Sequence, residues 1–160
     1  MGKVLSIENV VPLRAEWKAQ RKIVVFTNGV FDILHRGHVE YLAEAKKLGD
    51  ILIVGMNTDA SVKRIKGPLR PIVQEQDRAF VLSQLVSVDA VCLFDEDTPF
   101  NLIKAIVPDI LVKGADYAIE NIVGRDIVEN SGGVVKTISF VPNKSTTNII
   151  ERIKNLPANG

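Results

Sequence analysis

From residue 23 onward, short apolar runs typical of strands alternate with segments of helical periodicity. The predicted strands are residues 23–27, 51–57, 90–94, 110–113 and 134–139. The predicted helices are residues 37–48, 74–86, 99–107, 120–130 and 146–155. Strands and helices that alternate over short connections favour parallel pairing. The pattern therefore predicts an α/β fold with a doubly wound, five-stranded parallel sheet and helices on both faces.

The length of the chain indicates a single main domain. Its 160 residues are 46% hydrophobic, which is enough for a sizeable core. We expect an N-terminal helical lead-in at 1–22, with Leu13 and Trp17 on one helical face, a main domain at 23–155 and a tail at 156–160. Cys92 lies in an apolar run and is predicted to be a buried strand residue.

Charge and hydropathy exclude several classes of partner. The net charge of +1 gives no general attraction for nucleic acid. No apolar run reaches the roughly 18 residues of a membrane span. The first 20 residues, which include Arg14, Glu16 and Lys18, lack a signal-peptide pattern. We therefore expect a cytoplasmic protein that binds neither nucleic acid nor membrane.

Both histidines of the chain lie where the first predicted strand gives way to a helix. His35 and His38 close the stretch Thr27-Asn-Gly-Val-Phe-Asp-Ile-Leu-His-Arg-Gly-His38. This position in an open α/β sheet collects anions, and imidazole donates hydrogen bonds to phosphate oxygens. The stretch predicts a phosphate site. A tight turn with incidental surface histidines is one alternative, and zinc binding is another, although the stretch offers no cysteine or third histidine.

A basic segment at 63–71 follows the second predicted strand. It is predicted to be a mobile loop, and its position after a strand places it on the edge where such folds bind ligands. Lys66 and Arg70 are its best candidates for closing over a triphosphate, and a solvated surface loop is the alternative. Arg78, on the helix that follows, is a weaker candidate because one helical arginine is usually a solvated charge.

Two further segments follow later strands. At 112–117, Gly114 permits close approach of a ligand to the backbone, and Asp116 offers an oxygen to a hydroxyl or a metal-bound water; a simple strand-ending turn is the alternative. At 144–148, Ser145 or Thr146 is a good helix N-cap beside Lys144. A helix start with hydroxyls and a lysine also forms an anion site, so the two functions are compatible.

These motifs resemble the nucleotidyltransferases with the His-x-Gly-His signature, in their cytidylyltransferase-like branch. The resemblance rests on Gly29-Val-Phe-Asp-Ile-Leu-His-Arg-Gly-His38 and on Ser145-Thr-Thr147. It is greatest to the adenylyltransferases of bacterial ADP-heptose synthesis and runs from about residue 8 to residue 153. Further matching segments are residues 26–29, 45–50, 66–67, 70–71, 96–99, 111–114, 116–117 and 145–150. Val30 and Ala115 stand where those enzymes usually carry cysteine and glycine, which bears on the sugar.

The resemblance implies a Rossmann-like fold and a reaction in which a sugar 1-phosphate oxygen attacks the α-phosphorus of ATP and expels pyrophosphate. The heptose enzymes make ADP-heptose for lipopolysaccharide or surface glycans. The implied catalytic residues are His35, His38 and Lys66. The implied nucleotide-binding residues are Thr27, Asn28, Gly29, Val30, Phe31, His35, His38, Gly114, Asp116, Lys144, Ser145, Thr146 and Thr147. The implied substrate-binding residues are Asp32, Asn57, Lys66, Arg70, Arg78 and Lys113.

The resemblance also implies Mg²⁺ as the cofactor, bound mainly through the ATP phosphates, with Asp32 as the one candidate protein ligand. It implies a homodimer. Many relatives carry this domain behind a sugar kinase, and this chain resembles the stand-alone form. Two other functions stay open: a cytidylyltransferase making a CDP-alcohol such as CDP-glycerol, and a non-catalytic nucleotide-binding regulatory module. A dehydrogenase is disfavoured, because no Gly-x-Gly-x-x-Gly follows the first strand.

Overall fold

The computed structural model describes residues 2–139 and 144–157, which form one parallel sheet flanked by helices. The strands are β1 (Lys3–Leu5), β2 (Val24–Gly29), β3 (Ile51–Asn57), β4 (Ala90–Phe94), β5 (Ile110–Gly114) and β6 (Val134–Ile138). The helices are α1 (Ile7–Ala19), α2 (Arg36–Lys46), α3 (Asp59–Lys66), α4 (Glu75–Ser83), α5 (Phe100–Ile106), α6 (Arg125–Asn130) and α7 (Thr146–Lys154). A short 3₁₀ helix lies at Ile119–Asn121.

The strand order is β1-β4-β3-β2-β5-β6, and every neighbouring pair is parallel. The chain winds outward from β2 through β3 to β4, and then crosses to the other side of β2 to form β5 and β6. The winding therefore changes direction between the neighbouring strands β2 and β5. In open α/β sheets, ligands bind beyond the carboxyl ends of the strands at such a switch point. The prediction of a doubly wound, Rossmann-like parallel sheet is confirmed.

A hydrophobic core covers each face of the sheet. Val24 and Phe26 of β2 pack into the cluster that includes α1, α5 and α6 side chains. Val25, between them, packs into the opposite cluster with side chains of α2 and α4. Successive strand residues point to opposite faces, so a strand buried on both sides must be apolar throughout. That is why these strands read as continuous apolar runs in the sequence.

Cys92 is fully buried in β4, as predicted. Burial raises the pKa of its thiol to about 12, so the side chain is a protonated, packed group. Among residues 2–139 and 144–157, no helix is both long and apolar enough to cross a bilayer.

The prediction of five strands was wrong, because a sixth strand lies inside the predicted helical lead-in. β1 has three residues, too few to show a strand pattern in the sequence. It forms by pairing with β4, and the Lys3 amide donates to the Asp89 carbonyl at 3.0 Å. α1 follows, with Val10 fully buried and Trp17 packed against the core. Residues 3–19 therefore belong to the main structure, with β1 in the sheet and α1 packed against its core.

Two predicted segments also differ in secondary structure. The basic segment at 63–71 is not entirely a loop, because α3 extends to Lys66 and the loop begins at Gly67. Thr58 caps α3 by accepting a hydrogen bond from the Ser61 amide, and Val62 is buried. The predicted helix at 120–130 is divided into the 3₁₀ turn and α6, with Gly124 at a positive φ of 84° between them.

An ion pair between the buried Arg14 and the partly exposed Asp109 connects α1 to the sheet. The Arg14 guanidinium donates to the Asp109 carboxylate at 2.9 Å and to the carbonyl of Val107 at 3.0 Å. The second carboxylate oxygen of Asp109 accepts the Val24 amide at 2.8 Å. Asp109 therefore links α1 to the start of β5 and to the start of β2.

We predict that Asp109→Ala lowers the free energy of unfolding by about 2–3 kcal/mol, measured by urea denaturation. The change leaves the Arg14 side chain, which is 9% exposed, without its carboxylate. It also leaves the Val24 amide without an acceptor. The control is Glu16→Ala on the exposed side of α1, which we expect to stay within about 0.5 kcal/mol of the wild type. Equal urea midpoints for the two variants would contradict this account.

Candidate active site

A cleft of about 530 Å³ opens at the carboxyl ends of β2, β3 and β5, at the switch point of the sheet. Its lining unites the four segments that the sequence singled out. Predicted site residues that line it are Asn28, Gly29, Val30, Phe31, Asp32, His38, Asn57, Lys66, Arg70, Lys113, Gly114, Asp116, Thr146 and Thr147. The parallel register brings strand ends that are far apart in the sequence to one edge.

The two histidines stack on each other at the start of α2. His35 is the N-cap residue, and His38 lies in the first turn. Their ring centroids are 3.8 Å apart, and the edge of Phe31 meets His38 at 5.2 Å. The Nδ1 atoms of both rings are buried and have no hydrogen-bond partner in the part of the chain that the structure describes. The pair is thus held by packing, with hydrogen-bonding capacity unused.

Both imidazoles are neutral at pH 7. Burial, with a contribution from His35, lowers the pKa of His38 to about 4. Burial and the nearby charge of Lys144 also lower the pKa of His35. A neutral imidazole offers one N–H donor and one acceptor. The histidines therefore supply directed hydrogen bonds, and positive charge in the cleft comes from its lysines and Arg70.

The glycine between the histidines lets the start of α7 approach α2. A Cβ on Gly37 would lie 3.0 Å from the His35 ring and 3.0 Å from Cβ of Lys144. Ser145 caps α7 by accepting the Asn148 amide at 3.1 Å. The Thr146 hydroxyl donates to the Ile33 carbonyl at 3.3 Å. Two helix N-termini therefore lie side by side at the cleft, and the positive ends of the helix dipoles favour an anion.

Lys113 places a cation at the end of β5. Its ammonium donates to the side-chain carbonyl of Asn28 on β2 and lies 5.3 Å from the centroid of the Tyr117 ring. Burial lowers the pKa of Lys113 to about 8, and the charge of Asp116 offsets part of that effect. Lys113 is therefore mostly charged at pH 7 and loses its charge as the pH rises through about 8.

Both carboxylate oxygens of Asp32 accept hydrogen bonds from other groups of the protein. One oxygen accepts the Arg70 Nε at 2.5 Å, and the other accepts the amides of Ile72 at 2.8 Å and Val73 at 2.9 Å. Burial by itself raises the pKa of Asp32, but these two amides and Arg70 outweigh it and hold the pKa below its usual value. With both oxygens engaged and its side chain 1% exposed, Asp32 does not fit the expected part of a metal ligand. Across residues 2–139 and 144–157, no three acidic, histidine or cysteine side chains form a metal cluster.

Five predicted site residues lie outside the lining of the described cleft: Thr27, His35, Arg78, Lys144 and Ser145. Thr27 is fully buried, with its hydroxyl 2.8 Å from that of Tyr41, so the structure gives it a place under the cleft floor. Arg78 is only 2% exposed, and protein groups accept from its Nε and from both of its terminal nitrogens. Thr27 was predicted to bind the nucleotide and Arg78 to bind the substrate, and in this structure both side chains are buried and hydrogen-bonded within the protein.

Other lining residues carried no predicted role. They are Tyr41, Ile65, Asp97, Thr98, Pro99, Tyr117, Asn121, Ile122 and Val123. The segments 96–99 and 116–117 stood out as motifs, so a signal for part of this set was present in the sequence. Ile65 was hidden because its helix, α3, was read as a loop.

The sheet is open and parallel, and a polar cleft lies at its switch point beside two helix N-termini. This arrangement is typical of nucleotide-binding α/β proteins. The model of the cytidylyltransferase-like family matches residues 26–152. The chain therefore belongs to the cytidylyltransferase-like family of nucleotidyltransferases.

The chain is also similar to longer bacterial proteins. It is 59% identical over 152 residues to the bifunctional protein HldE of Campylobacter concisus and 53% identical over 152 residues to that of Trichlorobacter lovleyi. Each alignment covers 95% of this chain and 31% of the relative. The chain thus spans about a third of the length of the curated relatives it matches.

Two solved structures share the fold. A lipopolysaccharide core biosynthesis protein from Thermoplasma volcanium is 35% identical with a TM-score of 0.62, over 77% of this chain and 99% of that one. A pantoate–β-alanine ligase from Francisella tularensis, solved with β,γ-ATP and β-alanine, is 16% identical. Its TM-score is 0.62, over 99% of this chain and 74% of that one. At that identity the second likeness shows the fold alone.

We predict that the depressed pKa of His38 makes the folded protein sensitive to acid. The unfolded histidine binds a proton below about pH 6.5, whereas the folded one does so only near pH 4. His38 therefore contributes a loss of stability as the pH falls from about 6.5 toward 4. His38→Gln removes this titration, so its unfolding free energy, measured in urea at several pH values, should fall less steeply across that window. Parallel curves for variant and wild type would rule out a buried, neutral His38.

Proposed function

We propose that the chain is an adenylyltransferase that transfers AMP from ATP to D-glycero-β-D-manno-heptose 1-phosphate, giving ADP-heptose and pyrophosphate. The observation that carries this proposal is the convergence of the histidine turn, Lys66 with Arg70, the end of β5 and the start of α7 on one cleft. The similarity to HldE proteins and to a lipopolysaccharide core biosynthesis protein supports a sugar substrate.

In the proposed reaction, a phosphate oxygen of the sugar 1-phosphate forms a bond to the α-phosphorus of ATP. The bond from that phosphorus to the oxygen bridging it to the β-phosphorus breaks, and pyrophosphate leaves with the electron pair. AMP passes directly to the sugar phosphate with no adenylylated enzyme intermediate, so catalysis consists of aligning two anions and stabilising the charge on the five-coordinate phosphorus.

In the proposed reaction, different cleft residues bind different parts of the two substrates. His38, held by its stack on His35, donates to an α-phosphate oxygen. Thr146 and Thr147 at the start of α7 bind the β- and γ-phosphates, with Lys144 and Ser145 beside them. Lys66 and Arg70 balance the charge of pyrophosphate and of the incoming phosphate. Residues 28–31 with Gly114 and Asp116 bind the nucleoside, and Asn57 and Lys113 bind the sugar phosphate.

Several expectations of the resemblance remain proposals. Mg²⁺ is proposed to arrive with ATP and to be held by its phosphates, since Asp32 does not fit as a ligand. We also propose a cytoplasmic location and a homodimer.

We predict that His38→Ala lowers kcat about 100- to 1000-fold, because one donor to the transferring phosphate is lost. Pyrophosphate release measures the rate, and circular dichroism checks that the fold is retained. Lys104→Ala on the exposed side of α5 is the control and should keep the wild-type rate. Near-wild-type turnover of His38→Ala would overturn the assignment of the site.

We predict that kcat/KM for the sugar phosphate falls as the pH rises through about 8, because Lys113 then loses the charge that attracts the phosphate. Lys113→Met should be slower at pH 7 and should lose this alkaline decline. A decline of the same steepness in the variant would assign it to another group.

A cytidylyltransferase making a CDP-alcohol is the second candidate, supported by the family that the chain belongs to. A panel of ATP and CTP against heptose 1-phosphate and glycerol 3-phosphate separates the two by pyrophosphate release. ATP with the heptose phosphate should give the highest kcat/KM. A preference for CTP with glycerol 3-phosphate would favour the second candidate. Tight ATP binding with no release on any pair would favour a regulatory module.

A further inference from the structure

The backbone of Val73 is held on both sides, at its N–H and at its carbonyl, by buried charged side chains. Its N–H donates to the Asp32 carboxylate at 2.9 Å, and its carbonyl accepts from Arg78 Nε at 2.9 Å. Asp32 belongs to the turn after β2, whereas Arg78 belongs to α4. Val73 ends the loop that begins at Gly67, and we call residues 67–73 the basic loop.

Arg78 joins the basic loop to the floor of the cleft. One terminal nitrogen of its guanidinium donates to the carbonyl of Val30 at 2.7 Å and to that of Asn57 at 3.0 Å. The other terminal nitrogen donates to the Asp59 carboxylate in the first turn of α3 at 2.6 Å. A guanidinium stays charged and presents its donors in a rigid plane. This one side chain therefore fixes the ends of β2 and β3, the start of α3 and the end of the basic loop relative to one another.

Asp32 holds the same loop through the loop's cation, Arg70. It pairs with Arg70 and also accepts the amides of Ile72 and Val73. Packing contributes little here, because Leu69 is 83% exposed and Ile72 is 55% exposed. A Cβ on Gly67 would meet nothing within 4 Å. Segments with few apolar contacts open easily, so buried hydrogen bonds to charged groups are what keep this loop in place.

We propose that Asp32 and Arg78 are positioning residues for the transfer reaction: together they hold the basic loop so that Arg70 lies over the phosphate-binding turn before substrate arrives. Asp32 acts through Arg70, and Arg78 acts through Val73 and Val30. This proposal rests on the proposed function, because the reaction for which Arg70 is positioned is the proposed adenylyl transfer. Its physical reason is that a cation fixed in advance needs no reorganisation when charge develops on the phosphate.

Limited proteolysis tests the holding of the loop without any catalysis. Trypsin cleaves after Lys66, at the junction of α3 and the basic loop. We expect Asp32→Ala and Arg78→Lys to speed this cleavage about tenfold, and Asp32→Asn, which retains one acceptor oxygen, to speed it less. The matched controls are Arg125→Lys and Asp126→Asn on α6, which should leave the rate unchanged. If cleavage of Asp32→Ala and Arg78→Lys is no faster than that of the controls, the proposal fails.

A double-mutant cycle tests whether Asp32 acts through Arg70. We expect Asp32→Asn to lower kcat about tenfold in the wild-type background and to have no further effect in Arg70→Ala. A purely structural role would give the same loss in both backgrounds, which would overturn the proposal. A wild-type protein that transfers nothing contradicts the proposed function, and the trypsin result then still decides whether Asp32 and Arg78 hold the loop.

Discussion

The candidate site depends on the register of β2 between β3 and β5. Asn28 is opposite Gly55 and Gly29 is opposite Met56, while Phe26 is opposite Leu111 on the other side. These parallel pairings bring three strand ends to one level, where the winding of the chain reverses. The histidine turn, the start of α3 and the end of β5 are therefore neighbours, although the ends of β2 and β5 are 85 residues apart in the sequence (114 − 29).

Within that frame, the charges and the hydrogen-bond donors have separate places. The stacked histidines are neutral chiefly because burial lowers the pKa of both rings, with a contribution from Lys144 at His35. The positive charge lies on Lys66, Arg70 and Lys113, which come from different elements around the cleft. Such a division suits a substrate with several phosphates: cations offset the total charge, while neutral donors with fixed direction bind one particular phosphate oxygen.

Much of the fold was predictable from the sequence, because strands buried on both faces must be apolar and must alternate with helices that cover them. β1 was not predictable, since three residues carry no pattern and the strand exists only through its pairing with β4. α3 was hidden by its basic residues, which suggested a loop, whereas Thr58 and the buried Val62 stabilise a helix.

The cleft residues were largely predictable because their motifs directly follow strands. The burial of individual side chains was not predictable. The sequence does not show that Arg78 is buried and hydrogen-bonded within the protein, or that Asp32 accepts hydrogen bonds from Arg70 and two backbone amides. Both residues match functional motifs by type, and their hydrogen bonds within the protein are the basis for proposing that they position the loop. The sequence therefore predicts which segments meet at the cleft, whereas the partners of the side chains beneath it follow only from the folded structure.

The most direct test of the proposed function follows the α-phosphate. ATP labelled at the α-phosphorus is incubated with heptose 1-phosphate and Mg²⁺, and the products are separated. We predict that the wild type moves the label into a sugar nucleotide while unlabelled pyrophosphate is released in equal amount. Label that remains in ATP, or that appears in free AMP without a sugar nucleotide, would contradict adenylyl transfer to this substrate.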